Sequence, residues 1–429
     1  MRVLTRKARG FSRFLAGLFT APVACSASTI AIALTALGAC SGGGGTSDAV
    51  NNVSSNQHFI YVDGAGACKG RTPCYTNLLD ATIDSFRTQF NSQVQPIRPN
   101  EPPDQIVVMP GIYTAGTPGD WILILGFAAE FQRTSGIWKL AILAEQGPDK
   151  TTISGQNTGP CITVMDQIDL HIRGFTFAGC ADPEPFLTAG DYSIYLQSFT
   201  RANIKIEGNV FRDNTSSSGT IGVSPYFVNV SELDVKIIGN RFFNNLGSIS
   251  IYGLPSTVRP EYSAAVLIAN NLMYDNGRSN SPNYSVGGIR VFNFIESQQS
   301  IKVEIVGNTI AGNRDVGLSV VQANVIVENN IVYGNPIDID ARSSYAPVNH
   351  NLVGETSRLL STTSNIIADP LFTNQSAGDF SLTPGSPAID AGVALSIPEL
   401  AFDLNGEARP VDGNADGVAV PDIGAIEFR

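Results

Sequence analysis

One apolar frame with a fixed asparagine recurs six times in this chain. In one-letter code it reads V/I-x-I/V-x-x-N-x-I/V/F. The copies span Ile204–Phe211, Val235–Phe242, Val266–Met273, Val303–Ile310, Val325–Val332 and, frayed, Pro347–Val353. Their asparagines are Asn209, Asn240, Asn271, Asn308, Asn330 and Asn351, spaced by 31, 31, 37, 22 and 21 residues. In the first five copies a second asparagine follows five residues later: Asn214, Asn245, Asn276, Asn313 and Asn335. Asparagine tolerates bends and carries both a donor and an acceptor. At one corner of successive turns such amides can bond each other in a ladder. The pattern predicts an all-β chain, a parallel β-solenoid of stacked repeats.

Composition fits a folded, exported protein. Hydrophobic residues make up 43% and charged residues only 15%, which favours a folded β-rich chain over a disordered one. The N-terminus carries Arg2, Arg6, Lys7, Arg9 and Arg13 ahead of apolar stretches, then Leu37-Gly38-Ala39-Cys40 and a glycine run. That is the layout of a signal peptide. The cysteine after small residues resembles the lipobox of bacterial lipoproteins. The resemblance implies cleavage before Cys40, acylation there, and a lipid anchor as the chain's only link to a membrane. It places the protein at the outer membrane or cell surface. Loss of residues 1–39 leaves 22 basic against 38 acidic residues, a balance of −16. So acidic a chain repels nucleic acid. Four further cysteines, in an oxidising compartment, read as the disulfides Cys68–Cys74 and Cys161–Cys180. The second spacing is about one solenoid turn.

The chain divides into a signal peptide (1–39), a flexible tether (40–56), an N-terminal strand and capping helix (57–104), the β-solenoid (105–368) and a C-terminal segment (369–429). Leu79, Ile83, Phe86 and Phe90 recur at helical spacing and predict a helix over the open end of the core. The run I-V-V-M-P-G-I-Y (Ile106–Tyr113) paired with T-I-S-G (Thr152–Gly155) closely resembles the first coil of pectin-lyase-like right-handed parallel β-helix proteins. The resemblance extends from Phe59 to the C-terminus. The stretches Asp369–Gly392 and Asp403–Phe428 resemble the choice-of-anchor Q ending of secreted bacterial β-helix proteins. Together these imply a single-stranded right-handed β-helix with an N-terminal capping helix and an asparagine ladder.

The family resemblance implies that the third strand of each repeat floors a substrate groove. Period-two alternation points Tyr195, Tyr252, Arg290, Phe292, Asp338 and Asp340 outward there. The three aromatics suit sugar rings. Asp338 and Asp340 would lie about 7 Å apart, with Arg290 two coils away at about 10 Å. Such a set could hold calcium and a uronate carboxylate. Arg290 would then remove the proton beside that carboxylate, and the glycosidic oxygen would leave by β-elimination. Asp412, Asn414, Asp416 and Asp422 resemble part of a calcium loop. The expected activity is a calcium-assisted polysaccharide lyase, acting on an acidic glycan as a monomer. The alternatives are a glycan-binding adhesin and a structural surface protein. His171, Lys205 and Lys236 read as solvated positions on the strand before the ladder.

Overall fold

The computed structural model describes residues 57–90, 96–98, 100–115, 122–125, 136–164, 167–181, 192–197, 201–216, 218–224, 232–252, 263–277, 286–292, 301–321, 325–343, 347–359 and 364–429. The signal segment, Cys40 and the tether lie outside them. Three parallel sheets of 11, 10 and 8 strands run along the repeats. The first sheet holds the strand before the first asparagine, such as Arg201–Glu207. The second holds the short strand between the two asparagines, such as Val210–Arg212. The third holds the strand that follows, such as Gly219–Ser224. Each strand pairs with its counterpart one coil before and one coil after. Ile204, for example, is in register with Leu170 and Val235. Crossovers between parallel strands of one sheet are right-handed. The chain is a right-handed parallel β-helix: the parallel solenoid its repeats predict, with the hand that the family resemblance implies.

Alternation fills the lumen. Ile204, Ile206, Phe211, Ile221 and Val223 of one coil are fully buried, and their equivalents stack above and below. Phe177, Phe211 and Phe242 sit in register on the second sheet with ring centroids 4.9 and 4.7 Å apart. Each such ring contributes roughly 1.5–3 kcal/mol by leaving water.

Both asparagine columns form ladders. The backbone N–H and the amide Nδ2 of each asparagine donate to Oδ1 of the next coil's asparagine. One column runs Asn209, Asn240, Asn271, Asn308, Asn330, Asn351 and ends on Asn365. The other runs Asn214, Asn245, Asn276, Asn313, Asn335 and ends on Asp338. Each ladder starts on a backbone N–H alone, that of Phe175 or Cys180. The residue before each asparagine turns left-handed. In the first column these are Gly208, Gly239, Asn270, Gly307, Asn329 and His350. In the second they are Asp213, Asn244, Asp275, Gly312 and Gly334, with φ between 54° and 71°. Glycine meets that demand freely and Asn or Asp tolerates it.

A helix, α1 (Leu78–Gln89), covers the N-terminal end as predicted. Asn77 caps it by accepting from the Asp80 N–H at 2.9 Å. Phe86 stacks on Phe90 and meets Trp138 edge-on. The fully buried Asp104 anchors the helix by accepting from Ser85, Thr88 and Gln89. Both expected disulfides are present, with Cα–Cα distances of 5.9 and 5.5 Å. Cys161–Cys180 joins consecutive coils.

The C-terminal segment folds back over the outside. Phe380, Leu404 and Ala425 bury Leu272 and Ala311 of the second sheet. Leu395, Ile397 and Leu400 pack on Ile238, Leu267, Ala269 and Val306 of the first. At the corner between those sheets, Asn270 donates to the Glu399 and Phe402 carbonyls. Asn329 both donates to and accepts from the Val393 backbone. The left-handed asparagines of the first column thus strap the segment down.

Candidate functional site

The expected groove is only partly open. Tyr195 does lie on the outer side of the third sheet, but it is 2% exposed. Its ring stacks on Tyr192 at 5.6 Å, nearly parallel. Tyr192 in turn covers Gly222 of the next coil, where an added Cβ would sit 2.4 Å from the ring. A glycine at that rung leaves a hollow that the ring fills. Ser224 and Ser250 are buried as well. Among the described residues this half of the face therefore offers no aromatic platform, which corrects the expectation for Tyr195. The side chain of Tyr252 lies outside the described residues; its backbone is in register with Phe292.

Asp338 departs further. It sits in the bend before the strand Ile339–Ser343, 1% exposed. Its Oδ1 accepts from the Asn335 backbone N–H at 2.9 Å and from the Asn335 amide at 3.0 Å. Its Oδ2 accepts from the Thr356 hydroxyl at 2.6 Å. The carboxylate replaces the next asparagine of the ladder, so it does not face a groove.

The remaining residues lie along one row of the face. Arg290, Ser319 and Asp340 occupy one row on three successive strands. Arg290 and Asp340 are therefore two rungs apart, roughly 10 Å between backbones. All three side chains are half-buried rather than covered. The Arg290 guanidinium carbon lies 4.2 Å from the Phe292 ring centroid. The π face attracts the cation, so this contact seats the guanidinium. Asp340 faces Arg358 across 3.6 Å. Among the described residues the open part of the face thus presents an aromatic edge, the Arg290 cation, a hydroxyl and a carboxylate paired with Arg358.

The acidic C-terminal loop is built differently from a calcium loop. Asp412 accepts from the backbone N–H groups of Asp416 and Gly417. Asn414 accepts from Asp416, and Asp416 from Val418. These are turns closed by short polar side chains. Asp422 is turned inward, 1% exposed, and accepts from the N–H groups of Asp390 and Phe428. Among the described residues no group of three or more His, Cys, Asp or Glu is arranged to hold a metal ion. These residues do not fit calcium.

Burial pushes the Asp422 carboxyl up to about 6 from its ordinary 3.8. The folded state therefore holds a proton that the unfolded state has released between roughly pH 4 and 6. The stability from this group is complete below pH 4 and is lost as pH rises to about 6. Its slope is at most about 1.4 kcal/mol per pH unit. Urea unfolding of the protein and of Asp422→Asn at pH 4, 5 and 6 should show the substitution removing that fall. Parallel pH dependences for the two would refute the assignment.

A strip of charges on the outer face of the first sheet was only half read from the sequence. His171, Lys205 and Lys236 are in register on three strands, beside a second row of Asp169, Asn203 and Asp234. Glu207 accepts from His171 Nε2 at 2.8 Å and from Lys205 Nζ at 2.9 Å. The His171 bond, aided by Lys205, holds the Glu207 carboxyl down to about 2 against its burial. A carboxylate so held only accepts, so Nε2 carries the imidazole proton. Burial pushes the Asp169 and Asp234 carboxyls up. Lys236 pairs with Glu399 of the C-terminal segment at 2.6 Å. Alternation had shown these lysines facing outward. Glu399, 163 residues from Lys236, gave no signal of its position.

No family model matches the chain, and no characterised protein matches it in sequence. Among solved structures, a crystal structure of pectate lyase Pel9A is similar with a TM-score of 0.42 at 14% identity. That match covers 77% of this chain and 89% of the other. A PL6 family alginate lyase, AlyGC, is similar with a TM-score of 0.22 at 11% identity, over 77% of this chain and 55% of the other. The fold assignment rests on the strand register described above.

Proposed function

We propose that this chain acts on an acidic polysaccharide at the open part of the third sheet, cleaving uronate linkages by β-elimination. The observation that carries the proposal is Arg290, seated on Phe292 and in one row with Ser319 and Asp340. A sugar lies against the Phe292 edge. Arg290 binds the uronate carboxylate and stabilises the charge that develops on it. The sequence alone suggested Arg290 as the base, but a guanidinium does not give up its proton in proteins. Asp340 on the same row is the group proposed to accept the proton beside the carboxylate. The electrons of that C–H bond form the new carbon–carbon double bond. The glycosidic oxygen leaves with the bonding pair and takes a proton from water. As an exported protein it would be held to a membrane by lipid on Cys40, which metabolic fatty-acid labelling of the protein and of Cys40→Ser would test.

The mature protein is incubated with a panel of acidic polysaccharides, and ultraviolet absorbance reports the unsaturated product. The expected result is a rise on a uronate polymer. Asp340→Asn should lose more than about a hundredfold in kcat, the scale of a removed general base. Arg290→Ala should raise KM and lower kcat, with Arg290→Lys in between. A calcium arm and a chelator arm test whether a cation enters with the substrate. Retention on glycans without any product would replace the lyase by a binding protein. Product formation untouched by either variant would move the site.

A further inference from the structure

A cleft of about 460 Å³ opens at the corner between the second and third sheets. Its floor is the second ladder at Asn214 and Asn245, and its wall includes Asp213, Asn244 and Arg314. The volume is that of an ordinary small-ligand site. The wall is a connected polar chain. Asn244 Nδ2 donates to Asp213 Oδ1 at 2.6 Å. Arg314 donates to Asn244 Oδ1 at 3.4 Å and, through Nε, to Asp275 Oδ1 at 2.9 Å. Arg212 pairs with the other oxygen of Asp213.

The two corners of the helix serve as controls for each other. The left-handed residue before a ladder asparagine is satisfied by glycine in several coils of both columns. The first column departs from glycine at Asn270, Asn329 and His350, and the two asparagine amides bond the C-terminal segment. The second column departs from glycine on three consecutive coils, at Asp213, Asn244 and Asp275. The turn does not require those side chains, and the first two line the cleft.

We infer that this corner cleft is a second binding site, for a neutral sugar unit of an oligosaccharide, separate from the proposed lyase site. Among the described residues of the wall Asp213 and Asp275 are each met by an arginine, which favours an uncharged ligand over an ion. Its groups alternate as acceptor, amide and guanidinium. Hydroxyls, which both donate and accept, can join each of them. An extended peptide is the less suitable occupant. The segment at the first corner is anchored by Leu395, Ile397 and Leu400 on an apolar surface. Among the described residues lining the cleft at the second corner, Leu246 is the only large apolar side chain. A polyol needs no such anchor.

The test is isothermal titration of the mature protein with neutral gluco-, manno-, galacto- and xylo-oligosaccharides. Uronate oligosaccharides and a Gly/Ser/Asn peptide serve as comparison ligands. The variant is the double substitution Asp213→Gly with Asn244→Gly, which keeps the backbone conformation seen at Gly312 and Gly334. The expected result is binding of at least one neutral oligosaccharide. The double variant should bind it about tenfold or more weakly, the worth of one or two hydrogen bonds. Its melting temperature and any uronate cleavage should be unchanged. Arg290→Ala should leave this binding intact, so failure here and failure of the lyase proposal give different results. The inference is overturned if no neutral oligosaccharide binds, if the double variant binds it equally well, or if the peptide binds instead.

Discussion

Asn271→Ala should destabilise the protein by about 3–5 kcal/mol, far more than a change at the ladder's end. Asn271 is fully buried. Its Oδ1 accepts from the Asn240 backbone N–H at 2.9 Å and the Asn240 amide at 3.0 Å. Its Nδ2 donates to the Ile237 and Ala269 carbonyls and to Asn308 Oδ1. Alanine removes all of these and leaves buried groups on two neighbouring coils unpaired. Each unmet buried donor or acceptor costs about 1–3 kcal/mol. The cost exceeds that of an average hydrogen bond because the abandoned partners stay buried, and the ladder's bonds support one another. Asn365→Ala is the control. Asn365 ends the same ladder, is only half-buried, and bonds one neighbouring coil. It should cost about 1 kcal/mol. Equal urea midpoints for the two variants would show that the interior of the ladder contributes no more than its end.

What the sequence revealed follows from which constraints are local or repeated. The ladder was legible because the same amide is required on every coil, so the requirement is written six times. The helix over the core was legible because Phe86 and Ile83 must share a face. Tyr195 was misread for a non-local reason. Alternation correctly set it on the outer side, but the hollow over Gly222 and the ring of Tyr192 decide whether that side is open. The charged strip on the first sheet was half legible. Lys205 and Lys236 were recognised as equivalent, while their carboxylates, Glu207 and Glu399, belong to different parts of the chain. The acidic loop imitated a calcium motif because a tight turn and a cation site both draw on closely spaced Asp and Asn. Only the inward turn of Asp422 separates them. Asp338 shows the same ambiguity in its sharpest form, since one carboxylate beside a strand can be a catalyst or the end of a ladder.

Those two roles for Asp338 predict opposite behaviour. In the ladder role, what matters is an oxygen that accepts from the Asn335 N–H and amide. An amide can supply it, as the asparagines do on every earlier coil. Asp338→Asn should therefore cost only about 1 kcal/mol: its Oδ1 takes over those bonds, and the Thr356 hydroxyl, which an amide nitrogen cannot accept, turns to the Asn335 carbonyl 3.3 Å away. Asp338→Ala leaves the Asn335 N–H and amide without an acceptor and should cost about 2–4 kcal/mol. Gly354 packs against the same carboxylate, so little room exists for water to substitute. Neither variant should alter the rate of polysaccharide cleavage per folded molecule. A catalytic Asp338 would give the reverse: activity lost in Asp338→Asn with the melting temperature unchanged. Measuring melting and turnover on both variants therefore decides between ladder and catalyst, and it does so for any substrate the open face turns out to accept.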